Sequence, residues 1–145
     1  MSVESTTKTT PEIGDKMPDG TIYAGISPDT HKPMYATPAD APLRMHFNQA
    51  QDYADNIDFL GHQDWRVPTR GELNVLFDNR AAIGGFRLIG SDPAGLYWSS
   101  SQDNGSRWQP YDYEDWNKSI QRFSDGYQAS FIFPDRHRLS LRCVR

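Results

Sequence analysis

The chain has 145 residues, of which 37% are hydrophobic, 12% aromatic and 23% charged, and its net charge is −4. This length suits one domain, which buries enough core to need neither disulfides nor a structural metal. The negative charge disfavours a nucleic-acid partner, and the single cysteine, Cys143, excludes an internal disulfide and a cysteine-based zinc site. We therefore expect no cofactor and no bound metal.

The sequence also bears on location. No apolar run approaches the roughly 18 residues that cross a bilayer, and the first residues lack the charged-then-apolar pattern of a signal peptide. We expect neither membrane insertion nor export by a signal peptide, and hence a cytoplasmic protein unless another route carries it to a surface.

The first part of the chain predicts an arm and a hairpin. Residues 1–17 are polar and have no periodic apolar face, which is typical of a flexible N-terminal arm before a domain at 18–145. The β-branched and aromatic stretch 21–26 predicts a first strand, and residues 34–37 predict its partner after a turn at 27–29.

Two helices are predicted next. Apolar residues recur at helical spacing between residues 46 and 59, which predicts an amphipathic helix. After the extended residues 65–68, Thr69 and Glu72 form the Thr-x-x-Glu pattern of a capping box, so a second helix starts here and continues to Gly84.

The C-terminal half changes to a pattern of strands and turns. Residues 95–101 predict a buried strand, and an Asp-Gly pair at 125–126 predicts a hairpin between strands at 119–123 and 127–133. Residues 139–145 predict a closing strand with Leu139, Leu141 and Cys143 on one face.

No constellation of residues indicates an enzyme. The four histidines are scattered, and no nucleophile-elbow, phosphate-loop or dinucleotide motif occurs. The hydroxyls of residues 99–101 are expected to satisfy backbone groups at a strand end, and Cys143 is expected to be a small buried hydrophobic residue. The acidic residues 112, 114 and 115 are expected to form a solvated loop and not a calcium site, because the sharp glycine turn of a calcium loop is missing.

Aromatic residues are unusually dense between residues 108 and 133, where a loop should be polar. Rigid amphipathic rings in loops give contact area at low entropy cost, so this density is typical of a binding surface. The alternative, that the rings simply fill the core of a β-rich domain, is equally compatible with the composition.

Several short motifs in a fixed order resemble the Lcl C-terminal domain family, also called the DUF1566 family. They are Asp64-Trp65-Arg66-Val67-Pro68-Thr69 with Glu72-Leu73, Tyr97-Trp98-Ser99-Ser100-Ser101, Phe123-x-x-Gly126, and the terminal Leu141-Arg142-Cys143-Val144-Arg145. The resemblance covers about residues 45–145. It implies a C-type lectin-like α+β fold with two helices packed on a small antiparallel sheet, with Trp65 and Trp98 in the core and Arg66 or Arg142 as buried donors.

The resemblance further implies a non-enzymatic module of a bacterium or phage, an adhesin or another protein that binds a protein or glycan ligand. Some proteins with this fold are the variable proteins of diversity-generating retroelements, in which adenine-directed mutagenesis cannot produce Lys, Glu, Gln, Met or Trp. Residues 129–139 contain none of these five. The variable face implied by the resemblance comprises Asp103, Asn104, Arg107, Tyr111, Tyr113, Asn117, Ile120, Ala129, Phe131, Phe133, Asp135 and His137.

Two alternatives remain open at this stage. The chain could be a structural or phage-surface subunit that forms a homo-oligomer, or a small enzyme that uses Cys143. Folds of this kind carry many unrelated sites, so the sequence names no ligand.

Overall fold

The computed structural model describes residues 10–88, 95–101, 118–131 and 137–145, and for residues 130 and 131 it describes the backbone only. The architecture is a mixed α+β fold with two small antiparallel sheets, one of two strands and one of three, which confirms the predicted fold class at this level. The described elements are, in chain order, β1 Ile22–Ile26, β2 Pro33–Ala36, α1 Phe47–Asn56, α2 Arg70–Asp78, α3 Arg80–Ile83, β3 Leu96–Trp98, β4 Lys118–Arg122 and β5 Gln128–Phe131.

The first sheet pairs β1 with β2 and extends to the segment before it. Ile22 lies opposite Ala36, as predicted from the two apolar stretches. On the other edge of β1, the amide of Gly14 donates to the Tyr23 carbonyl at 2.8 Å and the Tyr23 amide donates to the Asp15 carbonyl at 2.9 Å.

Residues 14–17 are therefore paired with the domain and do not belong to a separate arm, which differs from the sequence expectation. Backbone hydrogen bonds hold them, and such bonds leave no periodic apolar signal to read. The earlier part of the predicted arm, residues 1–9, lies outside the described residues.

The second predicted helix is present with its capping box but is shorter than expected. The Thr69 hydroxyl accepts from the Glu72 amide at 3.1 Å, and a Glu72 carboxylate oxygen accepts from the Thr69 amide at 3.0 Å. The helix ends at Asp78, and the separate short helix α3 continues to Gly84, whose φ of 81° turns the chain away.

The second sheet has the order β3-β4-β5 and contains the predicted C-terminal hairpin. Leu96 pairs with Arg122, and Ile120 pairs with Ala129. The turn between β4 and β5 places Gly126 at φ +85° directly against the Phe77 ring, where a Cβ atom would lie 2.7 Å from a ring carbon.

The closing segment is buried and places Leu139, Leu141 and Cys143 in one apolar cluster, as the alternation predicted, but its pairing is divided among several elements instead of forming one strand. It forms isolated bridges to four different parts of the chain: Leu139 to Met45, Ser140 to Tyr97, and Val144 to both Ala36 and Arg66. Because it passes between the two halves of the fold, residues 139–144 are buried on both sides.

The core consists of two apolar clusters on either side of this segment. One cluster joins α1, β3 and β4 around Trp98, and the other joins β1, β2 and α2 around Phe123. Trp65 and Trp98 are 2% and 0% exposed, so both rings lie in the core as expected. Among the described residues, none of the helices has the length and hydropathy to cross a bilayer.

Candidate functional site

The described residues that flank segments 102–117 and 132–136 meet at one place. Lys118 at the start of β4 pairs with Phe131 at the end of β5. The Ser119 amide donates to the Ser101 carbonyl at 2.8 Å, so the residue before segment 102–117 lies beside the residues that follow it. Segment 102–117 therefore leaves and re-enters the fold at the same end of the sheet from which segment 132–136 departs.

The N-terminus of α1 lies at this same end. The Lys118 ammonium sits 4.7 Å from the centre of the Phe47 ring, and Nε2 of the neighbouring His46 accepts from Nε of Arg138 at 3.3 Å. Arg138 follows segment 132–136, so the C-terminal flank of that segment reaches the start of α1. We call this region, made of His46, Ser101, Lys118, Phe131 and Arg138, the loop end.

The structure describes only part of the predicted variable face. Of its described members, Phe131 marks the loop end through its backbone, and His137 is exposed. Ala129 is half-buried against the core. The rest lie outside the described residues: Asp103, Asn104, Arg107, Tyr111, Tyr113, Asn117, Phe133 and Asp135.

Ile120 does not face solvent. Its side chain is 2% exposed and belongs to the core cluster around Trp98, so its assignment to a surface was wrong. It lies in the middle strand of the sheet, opposite Trp98 in the register, and its inward direction follows from that pairing.

The serine run after β3 fastens the loop end to α2. The Ser99 hydroxyl donates to the Ser119 carbonyl at 2.9 Å, and the Ser100 amide donates to the Pro68 carbonyl at 2.8 Å. The Ser101 hydroxyl accepts from the Arg70 amide at 2.8 Å, which satisfies one of the free donors at the start of the helix. The predicted backbone-capping role of these hydroxyls is confirmed.

A buried carboxylate reinforces the same helix start. Glu72 is fully buried and accepts from Arg66 through both guanidinium nitrogens, at 2.5 and 2.8 Å. The Ser27 hydroxyl also donates to it at 2.5 Å. Burial works to raise the pKa of Glu72, but the hydrogen bonds from Arg66, Ser27 and Thr69 outweigh it and hold the pKa below its usual value.

A second buried network lies on the closing segment. Arg142 is 0% exposed and donates to Asp40 Oδ1 at 3.0 Å and to the carbonyls of Thr37 and Gly84 at 3.1 Å each. The Tyr97 hydroxyl donates to the other oxygen of Asp40. Burial lowers the pKa of Arg142 and raises the pKa of Asp40, which shows that burying each charged group costs free energy. Of the two arginines expected as buried donors, Arg142 is the fully buried one.

The thiol of Cys143 has the surroundings of a core residue. It is 2% exposed, and burial raises its pKa to about 12. A thiolate nucleophile needs the opposite shift, so the expected role as a small buried hydrophobic residue is confirmed.

Sequence reasoning missed the cations of the loop end. Lys118 and Arg138 each flank an undescribed segment, and exposed Arg44 lies one residue before Met45, which bridges Leu139. No local motif marks these residues, because the pairing of Met45 with Leu139 joins positions almost a hundred residues apart. Within the described residues, no group of three His, Cys, Asp or Glu side chains could hold a metal ion.

Fold and site together define an α+β module with a hydrogen-bonded frame in which the described flanks of segments 102–117 and 132–136 meet at one end. The model of the Lcl C-terminal domain family matches residues 21–145. The chain belongs to this family. No curated protein matches it.

Proposed function

We propose that the protein is a non-enzymatic recognition domain that binds a protein or glycan ligand at the loop end. The observation that carries this proposal is the pairing of Lys118 with Phe131 together with the bond from Ser119 to Ser101, because it gives segments 102–117 and 132–136 a common base. Two segments that begin at neighbouring positions on a scaffold can contribute to one continuous contact surface.

The chemistry of these segments supports recognition. Segment 102–117 contains two tryptophans, two tyrosines and Arg107 within 16 residues. Aromatic rings and arginine are the residues that contribute most to binding energy at interfaces. The flank of segment 132–136 adds an exposed cationic side chain at Arg138, and exposed Arg44 precedes Met45, which bridges Leu139; such charges favour polar or acidic groups on a ligand.

The frame beneath the loops supports the same proposal. The Ser101–Arg70 bond joins the base of segment 102–117 to the capped start of α2, and the Arg66–Glu72 bonds hold that start to the preceding extended residues. A base that is already ordered lowers the entropy cost of binding. Buried networks of this kind suit a scaffold that keeps its shape while its loops vary.

We further propose that the domain adopts the C-type lectin-like fold and that its exposed C-terminal positions are diversified by a retroelement. The two longer helices α1 and α2, followed after the short α3 by a three-stranded antiparallel sheet, support the first part. The absence of Lys, Glu, Gln, Met and Trp from residues 129–139 supports the second. An imperfect repeat of the 3′ end of the gene, differing mainly at adenines and lying beside a reverse transcriptase gene, would establish diversification, and its absence would refute it.

The buried state of Cys143 also favours recognition over the enzyme alternative. With its pKa raised to about 12, the thiol supplies almost no thiolate at neutral pH.

A loop replacement tests the function directly. In one variant, residues 104–115 become a glycine-serine linker of equal length, and in a matched control the exposed residues Asp52 and Asp55 of α1 become alanine. All three proteins are screened on a glycan array and a peptide display library, and circular dichroism verifies that each is folded. We expect the wild type and the control to share ligands that the loop variant loses. A loop variant that keeps every ligand, or a folded wild type that binds none, would contradict the proposal.

A further inference from the structure

A cavity of about 290 Å³ lies between the loop after β2, the last turn of α1 and the closing segment. Pro38, Pro42, Tyr53, Phe59 and Cys143 are among the residues that line it, and none of the lining residues belongs to the loop end. An apolar cavity of about 150 Å³ suffices to bind benzene. This cavity therefore has room for one ring with a short substituent.

The loop that forms one wall is unusually apolar for a loop at the surface. Residues 38–43 read Pro-Ala-Asp-Ala-Pro-Leu, so Asp40 is the one polar residue among them. Leu43 at the end of this stretch is 73% exposed, and Phe59, which lines the cavity, is 41% exposed. Large apolar side chains that remain this exposed in one region are typical of a binding site.

Backbone hydrogen bonds hold this loop against the closing segment. The Thr37 amide donates to the Cys143 carbonyl at 3.1 Å, and the Ala41 amide donates to the Leu141 carbonyl at 2.9 Å. The cavity is therefore already formed in the free protein. A ligand does not have to order the loop when it binds, which lowers the entropy cost of binding.

The aromatic residues of the walls are held in place as well. Tyr53 stands in the last turn of α1. Phe59 and His62 exchange backbone hydrogen bonds of 2.9 and 3.0 Å, and the Phe59 carbonyl also accepts from Nε1 of Trp65 at 3.1 Å. Two aromatic residues on fixed backbone favour an aromatic ligand, because aromatic rings gain energy from offset or edge-to-face contact with one another.

The side chains of Asp40 and Thr37, which line the cavity, already have partners. Both carboxylate oxygens of Asp40 accept hydrogen bonds, one from Arg142 and one from Tyr97, and neither donor lines the cavity. The Thr37 hydroxyl donates to a carbonyl of the same loop at 2.9 Å. The Cys143 thiol is neutral because burial raises its pKa to about 12. A charged ligand would lose hydration in the cavity without gaining a counter-ion that is free to bond to it, and this loss disfavours cations and anions alike.

We propose that this cavity is a second binding site, independent of the loop end, that takes a neutral aromatic ring with a small apolar substituent. The ring packs against the side chains of Tyr53 and Phe59 and against the two prolines, Pro38 and Pro42. Binding is driven by the removal of apolar surface of ligand and walls from water. A charge or several hydroxyl groups on the ring oppose binding, because these groups would leave water for walls that are mostly apolar.

Four probes of similar size separate the contributions of ring, charge and polarity. Toluene is neutral and apolar, benzamidine is a cation and benzoate an anion with the charge next to the ring, and glucose is a neutral but polar ring. Each is titrated into the full chain and followed by amide NMR shifts. We expect saturable shifts at Ala41, Tyr53 and Cys143 with toluene, at least about tenfold weaker binding of both ions at these residues, and no saturable shifts there with glucose.

The contrary results are equally specific. An ion that binds at these three residues as tightly as toluene would overturn the proposal. Saturable shifts there with glucose, or toluene shifts that do not saturate, would overturn it as well.

Variants locate the site. Phe59→Ala removes a wall and Ala39→Leu adds bulk to a lining residue, whereas Ala81→Leu makes the same addition at an exposed position of α3. Circular dichroism verifies that each variant is folded. We expect the first two to weaken toluene binding at least about threefold and the third to leave it unchanged, and wild-type affinity in both cavity variants would overturn the proposal. Because the loop end is intact in all these proteins, failure here leaves the proposed function untouched.

Discussion

Separating the buried pair of Arg142 and Asp40 should be one of the most damaging changes to this fold. The guanidinium is 0% exposed, the carboxylate side chain is 15% exposed, and three hydrogen bonds from Arg142 join the closing segment to the loop after β2 and to the residue after α3. Arg142→Met leaves the carboxylate of Asp40 without its counter-ion, and Asp40→Asn leaves the buried guanidinium without one.

Removing one partner of a buried ion pair costs about 3–5 kcal/mol, a large share of the 5–15 kcal/mol that stabilises a typical domain. For a chain of this size such a loss lowers the melting temperature by roughly 10 °C. The double variant removes both buried charges, so neither is left without a partner. Its loss of free energy of unfolding should therefore be smaller than the sum of the two single losses by at least about 1 kcal/mol.

Urea unfolding followed by tryptophan fluorescence measures the free energy of unfolding of the four proteins. The control is Asp64→Asn, which breaks the exposed pair between Arg145 and Asp64 on the same segment and should cost about 1 kcal/mol or less. A single variant of the buried pair that costs no more than this control, or a double variant whose cost equals the sum, would refute the reasoning.

Three further predictions concern stability and reactivity. Gly126→Ala should destabilise the protein by about 1–3 kcal/mol more than Gly61→Ala in urea unfolding. Both glycines have positive φ, but only a methyl group at position 126 would collide with the Phe77 ring. Equal costs would show that the Phe77 ring moves aside without loss of stability. Glu72→Gln should make the stability of the protein depend less on pH in acid. The pKa of Glu72 in the folded protein lies below its ordinary value of 4.5, so the carboxylate stabilises the fold above pH 4.5 and loses this effect as the pH falls through the folded-state pKa. An acid-unfolding curve identical to that of the wild type would contradict this. Cys143, with its pKa near 12 instead of 9, should carry about a thousandfold less thiolate at pH 8 and react with a disulfide reagent only on unfolding; rapid labelling of the native protein would be the contrary result.

Short sequence motifs predicted those elements whose backbone is determined by neighbouring residues. The capping box of Thr69 and Glu72 marks the start of α2, and the Asp-Gly pair at 125–126 marks the hairpin of β4 and β5. In each case a few neighbouring residues determine the backbone, so a short window contains the information.

The sequence did not predict features that depend on contacts between residues far apart in the chain. The resemblance implies Arg66 or Arg142 as a buried donor, but nothing near residue 142 shows that Asp40, about a hundred residues earlier, supplies its counter-ion. The attachment of residues 14–17 to β1 and the residue before it rests on backbone bonds, which leave no apolar pattern in the sequence. The resemblance placed Ile120 on the variable face, but its inward direction depends on the register with Trp98, which the sequence does not show.

The loop end illustrates the same limit for function. The resemblance and the aromatic density of segment 102–117 indicate that the C-terminal half binds something. The common base of the two segments and the cations of Lys118 and Arg138 follow only from strand pairing and from contacts with α1.

Hydrogen exchange with a ligand from the array or display screen tests the central claim most directly. The account predicts that bound ligand slows amide exchange within residues 99–119 and 129–138, while β1, β2 and the exposed side of α1 exchange as in the free protein. Protection concentrated on β1 and β2 or on α1, with the loop end unchanged, would show that this domain recognises its ligand elsewhere.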